Sequence, residues 1–484
     1  METLFGARLT EWARAQRAPL ALVTPACEVG FAELAQRVDR CAGWLLHEGL
    51  GPSDRIGITI ADEFTHLVIT LALLRLGIPQ VCLPSYDPLS ARIQLARRLA
   101  LTRIVVADTR YALPGHSMLT LLPEPDMEHA WADGCAALAA DPDAPAIYFT
   151  SSGTTGAARI VASSQRILAQ RAEHKGLRPD ERVLQLTTVE DYPAKTLRLA
   201  CVYMGRTSVF QPAASSPIPV HDVCARLAVT RLDLAVLQAT DLAPDGVHRR
   251  FAPGVQVFAS GSRVPRPLQA AFRRSGTPLF IDYGAREAGS IANSINAACE
   301  AGPVESVGPP RAWVELEVVD SAGNPLPRGE AGEIRVRSTD MVGGYVDDAE
   351  ATGRQFRDGW FHPGDVGTLT DDGELCVHGR LDDMMNLNSI KIFPAEIERV
   401  LEEHSAVKAA AAFAVSSAVH GDIPVAAVEL RDQGGAAVDE LMLHARERLG
   451  VRAPRRIVVL SALPRNATGK IIKRDLVGAF GPGG

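Results

Sequence analysis

No long basic run, no C-x-x-C pair, no apolar stretch of membrane length and no internal repeat occurs in these 484 residues. Without a basic stripe, and with a formal net charge of -7, the chain lacks the electrostatic footprint of a dedicated nucleic-acid binder. The cysteines stand apart at positions 27, 41, 82, 135, 201, 224, 299 and 376, with no histidine at zinc-ligand spacing. They read as reduced core residues, which excludes a structural zinc site and fits the cytoplasm. The most apolar early stretch, Leu67 to Leu74, is closed by Arg75 and is far shorter than the roughly 20 residues a spanning helix needs. Glu2, Arg8, Glu11 and Arg14 interrupt any signal-peptide layout at the start, so no membrane insertion is expected.

What is present is an ordinary globular composition, 46% hydrophobic and 22% charged, in a chain long enough for at least two cores. Short β-branched runs at Arg55–Ile60, Arg103–Ala107, Ala146–Thr150, Arg182–Thr188, Leu232–Leu237, Val255–Ser260 and Pro278–Tyr283 read as buried strands. Segments with helical spacing, such as Glu63–Leu76 and Pro267–Arg274, lie between them. The alternation predicts layered α/β sheets, substantially parallel. Past residue 312 the texture changes to strands at Val314–Val319, Gly332–Arg337 and Gly367–Val377, divided by Gly/Asp/Asn turns, which predicts a β-rich subdomain at about 312–380. Residues 381–484 read as a small α+β domain, with helices at Pro394–Glu403 and Val438–Leu449 and strands at Val407–Val415, Val425–Leu430 and Arg456–Leu460.

Residues 148 to 160 carry the first chemical signal. A β-prone run enters a loop in which Gly153 and Gly156 let backbone N–H groups approach an anion, while Thr150, Ser151, Ser152, Thr154 and Thr155 offer hydroxyls. A helix-compatible stretch is expected after it. Such a loop is more often a plain turn, and this one lacks the Gly-Lys-Ser/Thr ending of P-loop NTPases. Four further motifs follow in order: Tyr283-Gly284-Ala285-Arg286-Glu287, Trp360-Phe361-His362-Pro363-Gly364-Asp365, Gly379-Arg380-Leu381-Asp382-Asp383 and Pro464-Arg465-Asn466-Ala467-Thr468-Gly469-Lys470.

Together the five motifs resemble the AMP-forming adenylating superfamily of acyl- and aryl-CoA synthetases, free-standing adenylation enzymes of peptide-synthetase type, and luciferases. The likeness runs nearly end to end, from Phe31-Ala32-Glu33-Leu34 to Lys470. It implies a large N-terminal domain, residues 1–380, and a mobile C-terminal lid, residues 381–484, hinged at Asp382. It also implies ATP and Mg²⁺ as cofactors. A phosphopantetheine thiol, from coenzyme A or from a carrier protein supplied in trans, would accept the acyl group.

By resemblance, Glu287 is the Mg²⁺ ligand and Lys470 the adenylation lysine, an ammonium that reaches the carboxylate–phosphate junction as charge develops. Tyr283 corresponds to the aromatic that packs on adenine, and Gly261, Ser262, Asp282 and Gly284 to the residues around that base. Asp365 corresponds to the acid that accepts the ribose hydroxyls, and Arg380 to an arginine at the ribose or phosphate. Arg159, next to the phosphate loop, keeps a positive charge where lysine is usual. The acid pocket falls to Glu190, Asp191, Tyr192, Phe258, Ser260 and Ala285. Glu190 and Asp191 lie where amino-acid-activating relatives hold the substrate ammonium, so amino, aryl and short acyl acids all stay open. For each of these residues the bland reading is a turn acid, a solvated lysine or a core aromatic.

Two departures from the pattern stand out. Arg286 replaces a threonine beside Glu287, and Ser389 stands where a glycine lines the thiol tunnel. They alone favour the alternative of a non-catalytic nucleotide-binding relative acting as regulator or scaffold. Retained Glu287, Asp365, Arg380 and Lys470 favour the enzyme, a ligase for a small carboxylic acid.

Overall fold

The computed structural model describes residues 3–16, 18–120, 141–151, 159–211, 218–243, 250–295, 306–387, 390–417, 421–431, 437–466 and 469–480. The chain forms two compact units, and each is interleaved in sequence. The first takes residues 1–233, 286–289 and 339–352; the second takes 234–285, 290–338 and 353–484.

The first unit holds a six-stranded sheet in the order Ser117–Thr120, Arg103–Val106, Ile56–Thr59, Gln80–Cys82, Pro145–Ser151, Arg159–Ser164. All neighbours pair in parallel except the last two, which are antiparallel. Ile56 and Ile58, and Ile104, Val105 and Val106, are buried, as expected of strands covered on both faces. A second sheet in this unit places Leu20–Val23, Thr207–Val209, Arg182–Gln185 and residues 231–233 side by side in parallel.

Helix Glu63–Leu76 is bounded as its sequence dictates. Asp62 accepts a hydrogen bond from the Thr65 N–H at the N-cap, and Gly77 ends the helix in the left-handed region at φ 67°. Helix Tyr192–Met204 starts with Pro193 in its first turn and stops at Gly205, φ 66°. A side chain at Gly205 would overlap the Trp12 indole, so this glycine is required for packing as well as for its dihedral.

In the second unit, strands Gln256–Ser260 and Leu279–Ala285 are parallel, bringing Phe258 and Phe280 into a stack 4.4 Å apart. Strands within residues 314–338 and 356–380 form an antiparallel sheet, with Val314–Val319 against Gly332–Ser338. The tail sheet places Val407–Ser417 antiparallel to Gly421–Leu430, with Arg456–Leu460 parallel to the latter. Its two faces follow the period of two. Ala410, Ala412, Ala426 and Val428 pack with Ile397, Val400, Leu401 and Leu441, whereas Ala411, Phe413, Val425 and Ala427 pack with Leu476. Helices therefore cover both sides.

Four differences from the sequence expectations have local causes. The residues after the phosphate loop, Arg159–Ser164, form a strand returning along Pro145–Ser151, and the helix begins only at Gln165. Ile160 and Val161 pair across that ladder, which suits β-branched side chains better than a first helical turn. The run Gly367–Val377 is two strands, Asp365–Leu369 and Leu375–Arg380, because Gly373 at φ 81° closes a turn between them. A seven-residue helix, Ala349–Gln355, sits inside the β-rich region, and Lys473–Phe480 adds a last helix. Among the described residues no helix is long and apolar enough to cross a membrane.

Gly205→Ala puts a methyl group into the indole and strains φ, which should cost more than about 2 kcal/mol. Thermal unfolding followed by tryptophan fluorescence should show a midpoint lowered by about 4 °C or more. An unchanged midpoint would contradict this packing.

Candidate active site

Two constellations emerge, one in each unit. In the first, three consecutive residues at the start of helix Tyr192–Met204 are each held by a partner distant in sequence. Glu190 accepts from the Ser85 N–H and from Ser85 Oγ, both at 2.8 Å. Asp191 accepts from the Tyr86 hydroxyl at 2.6 Å, and although it occupies the N-cap its side chain caps nothing. A good capping residue diverted from its cap marks a position under another constraint. The Tyr192 hydroxyl accepts from Arg171 at 3.0 Å, and its ring meets Phe149 edge-on at 4.9 Å. Burial raises the pKa of both Glu190 and Asp191, against the opposing pull of Ser85 on the first and Tyr86 on the second.

Glu287 lies in the turn after Leu279–Ala285 and is buried. Its Oε1 accepts from the Tyr345 hydroxyl at 2.8 Å, and its backbone carbonyl accepts from Val342 and Arg171. The Arg159 guanidinium lies over the Tyr345 ring, 5.2 Å from its centroid. Oε2 accepts no hydrogen bond among the described residues. Those residues contain no cluster of three or more His, Cys, Asp or Glu that could hold a metal. A single oriented carboxylate fits Mg²⁺, which takes one or two protein carboxylates and completes its shell with phosphate oxygens and water.

On the other side of Glu287 is Arg286. Its guanidinium lies 5.6 Å from the Tyr192 centroid. Burial lowers its pKa, while Tyr192, Glu287, Asp191 and Tyr86 pull it back up. Deeper, Lys195 is 1% exposed and its Nζ has no hydrogen-bond partner. Burial lowers its pKa, opposed by Cys82 and Glu190.

In the second unit, Asp365 is held at both oxygens. The Tyr283 hydroxyl donates to Oδ2 at 2.6 Å, and Arg380 approaches Oδ1 at 3.4 Å. Arg380 also donates to Asp382 at 3.1 Å and to the Pro363 carbonyl at 2.5 Å. Gly364, φ 79°, lies against this guanidinium. Burial raises the Asp365 pKa, opposed by Arg380, Tyr283 and Lys470. Lys470 itself is exposed, yet its packed surroundings and then Arg380 lower its pKa, while Asp365 and Asp383 raise it. Asn466 fixes the backbone at Lys470 by accepting from its N–H at 2.9 Å. Asp282 accepts from Ser290 Oγ at 2.5 Å. Gly261, φ 90°, borders open space.

The sequence motifs thus place Tyr283, Asp365, Arg380, Asp382 and Lys470 together, and Glu190, Asp191, Tyr192 and Glu287 in the other unit. Ser152 to Gly156, together with Asn388, Ser389, Ala467 and Thr468, lie outside the described residues. Sequence reasoning missed Ser85, Tyr86, Arg171 and Tyr345. Each acts across a long sequence separation from an otherwise unremarkable segment.

One unit thus holds a buried carboxylate fixed by a tyrosine, and the other an acid beside a tyrosine with an arginine and a lysine in its field, the residue types that the five motifs carry. The sequence comparisons agree. The AMP-binding enzyme family model matches residues 9–346, and the AMP-binding enzyme C-terminal domain model matches residues 396–470. The chain belongs to this family. It is 28% identical to a feruloyl-CoA synthase of Amycolatopsis over 481 residues, covering 93% of this chain and 94% of that enzyme. A 2-succinylbenzoate–CoA ligase of Geobacillus kaustophilus is 36% identical over 223 residues, 46% of this chain and 45% of that one. The o-succinylbenzoate CoA synthetase of Bacillus subtilis, solved with its acyl-adenylate intermediate, shares the fold with a TM-score of 0.87 at 23% identity, covering 97% of both chains. The protein is an ATP-dependent, AMP-forming carboxylic acid–thiol ligase.

Tyr345→Phe frees Glu287 Oε1 from its donor. Partners of a metal ligand typically contribute about tenfold or more in affinity, so half-maximal activity should require about tenfold more Mg²⁺. Binding of Mn²⁺ in the presence of ATP, read by electron paramagnetic resonance, should weaken in parallel. Unchanged metal dependence would remove Tyr345 from this role.

Proposed function

We propose that the enzyme activates a small aryl or short acyl acid as its adenylate and passes the acyl group to coenzyme A. The observation that carries this reading is the meeting of Lys470 with Asp365, Arg380 and Tyr283 in one unit.

An oxygen of the acid carboxylate attacks the α-phosphorus of ATP, and pyrophosphate leaves with the electrons of the broken P–O bond. Lys470 supplies positive charge at the forming carboxylate–phosphate junction. Asp365, presented by Tyr283 and Arg380, accepts the ribose hydroxyls and fixes the nucleotide, and Tyr283 packs on the base with Gly261, Ser262, Asp282 and Gly284 beside it. Thr150 to Gly156 and Arg159 hold the phosphates, and Glu287 holds Mg²⁺, which neutralises phosphate charge when bound. The family resemblance assigns the acid to Phe258, Ser260 and Ala285 of the second unit and to the Glu190–Tyr192 segment of the first. In the second half-reaction the thiol sulfur attacks the acyl carbon, losing its proton, and AMP leaves. Residues 381–484 act as the lid that exposes first Lys470 and then the thiol path. Asp382 is the hinge, next to Gly379 at φ 147° and to exposed Leu381. A carrier-protein phosphopantetheine offers the same thiol, with Ser389 as the residue that favours it.

Acid-dependent exchange of pyrophosphate into ATP across a panel of acids, followed by thioester formation with coenzyme A, tests this reading. Lys470→Ala should lose exchange on the order of a hundredfold or more while still transferring a pre-made acyl adenylate to the thiol. Exchange within about threefold of wild type, under 1 kcal/mol, would refute the lysine's role. Because the Lys470 pKa is lowered, its charge is lost at a lower pH than the ordinary value of 10.5. The alkaline limb of the exchange rate should therefore fall below that pH. Removing the Asp365 charge, which raises the lysine pKa, should move the limb lower still.

A further inference from the structure

The charged groups around the Glu190–Tyr192 segment are unevenly engaged. Glu190 has both oxygens bonded to Ser85, and Asp191 holds the Tyr86 hydroxyl. Glu287 is tied to Tyr345. Arg286, in contrast, makes no side-chain hydrogen bond or ion pair among the described residues and rests on the face of Tyr192. Tyr192 cannot swing away, since Arg171 holds its hydroxyl and Phe149 its edge. The two arginines beside Glu287 also face different neighbours. Arg159 follows the phosphate loop and lies over Tyr345, whereas Arg286 lies over Tyr192 beside Asp191 and Tyr86.

Resting on the ligase reading above, we propose that Arg286 is the carboxylate receptor of the acid pocket, and that it selects acids without an α-ammonium group. A guanidinium presents several N–H donors in a planar fork matched to a carboxylate, and stacking on an aromatic face leaves that fork free at its edge. An unbonded, largely desolvated guanidinium is costly to keep unless a ligand completes it. The acid's own carboxylate supplies the missing acceptors. It would be held on the Tyr192 side of Glu287, one residue from the side chain that holds Mg²⁺. In an α-amino acid the ammonium sits one carbon from that carboxylate, at close range to a second full positive charge. Glu190 turns both oxygens to Ser85 and Asp191 turns one to Tyr86 within the field of Arg286, so an ammonium would have to compete with these donors and with the guanidinium for the same carboxylates. The pocket's uncommitted charge is positive. It favours a plain carboxylate over a zwitterion.

The test takes the best acid of the exchange panel that has a saturated α-carbon and its α-amino counterpart, with wild type, Arg286→Thr and Arg286→Lys, each checked for an unchanged thermal midpoint. Exchange kinetics are read as KM for the acid and as kcat. Mg·ATP affinity is measured separately by calorimetry without acid. Wild type should favour the plain acid by about a hundredfold or more. Arg286→Thr should raise the acid KM by about tenfold to a hundredfold, the range for a charge-assisted pair, and narrow the discrimination. Arg286→Lys, which keeps the charge but not the fork, should fall between, and it carries the test if the threonine variant does not fold. Mg·ATP affinity should stay within twofold in both. An acid KM unmoved by Arg286→Thr, an equal loss of Mg·ATP affinity, or a wild type that prefers the amino acid would each overturn the proposal while leaving the ligase reading intact. No exchange with any acid would overturn both.

Discussion

Three carboxylates in the two constellations, Asp191, Glu287 and Asp365, each accept a hydrogen bond from a tyrosine hydroxyl, at 2.6, 2.8 and 2.6 Å. The rest of the site depends on this choice of partner. A neutral donor fixes the direction of a carboxylate without cancelling its charge, whereas a close cation would do both. Glu287 is oriented through Oε1 alone, and its Oε2 accepts no hydrogen bond among the described residues. Asp365 keeps acceptor capacity, with Arg380 approaching only to 3.4 Å. Arg286, with no ion pair among the described residues, is left to an anionic ligand, whereas Arg380 pairs with Asp382.

The scaffold supports this by placing charge at element ends. Asp191 and Tyr192 stand at the start of a helix, Arg286 and Glu287 in the turn beyond a strand, and Asp365 and Arg380 opposite each other across a hairpin. Side chains at such termini are oriented by rigid elements yet face outward from them, which suits groups that must meet a ligand. Gly364 allows the close approach to the Arg380 guanidinium at the hairpin end.

Much of this was legible in the sequence. Helices Glu63–Leu76 and Val438–Leu449 and strands Val314–Val319 and Arg456–Leu460 match their expected limits, because caps, glycines and β-branched runs all point the same way there. The family and the ligase chemistry were legible for a different reason. Phosphate, metal and lysine contacts need fixed residue types at fixed local spacing, so they survive as short motifs. The return strand Arg159–Ser164 was not legible, since a Ser/Thr/Gly loop opens onto either a helix or a strand. Nor were Ser85, Tyr86, Arg171 and Tyr345, whose bonds span 58 residues between Tyr345 and Glu287 and 105 between Tyr86 and Asp191. Local pattern carries no trace of such pairings. Arg286 was visible only as a departure from a motif, and its geometry on Tyr192 is what gives that departure a chemical meaning.

The central claim is that this chain forms a bond between an acid oxygen and the α-phosphorus of ATP. Isotope transfer measures that bond directly. An acid carrying ¹⁸O at both carboxyl positions, incubated with Mg·ATP and coenzyme A, should give AMP with one ¹⁸O and a thioester retaining the other, both read by mass spectrometry. AMP without label, or formation of ADP in place of AMP, would contradict the account.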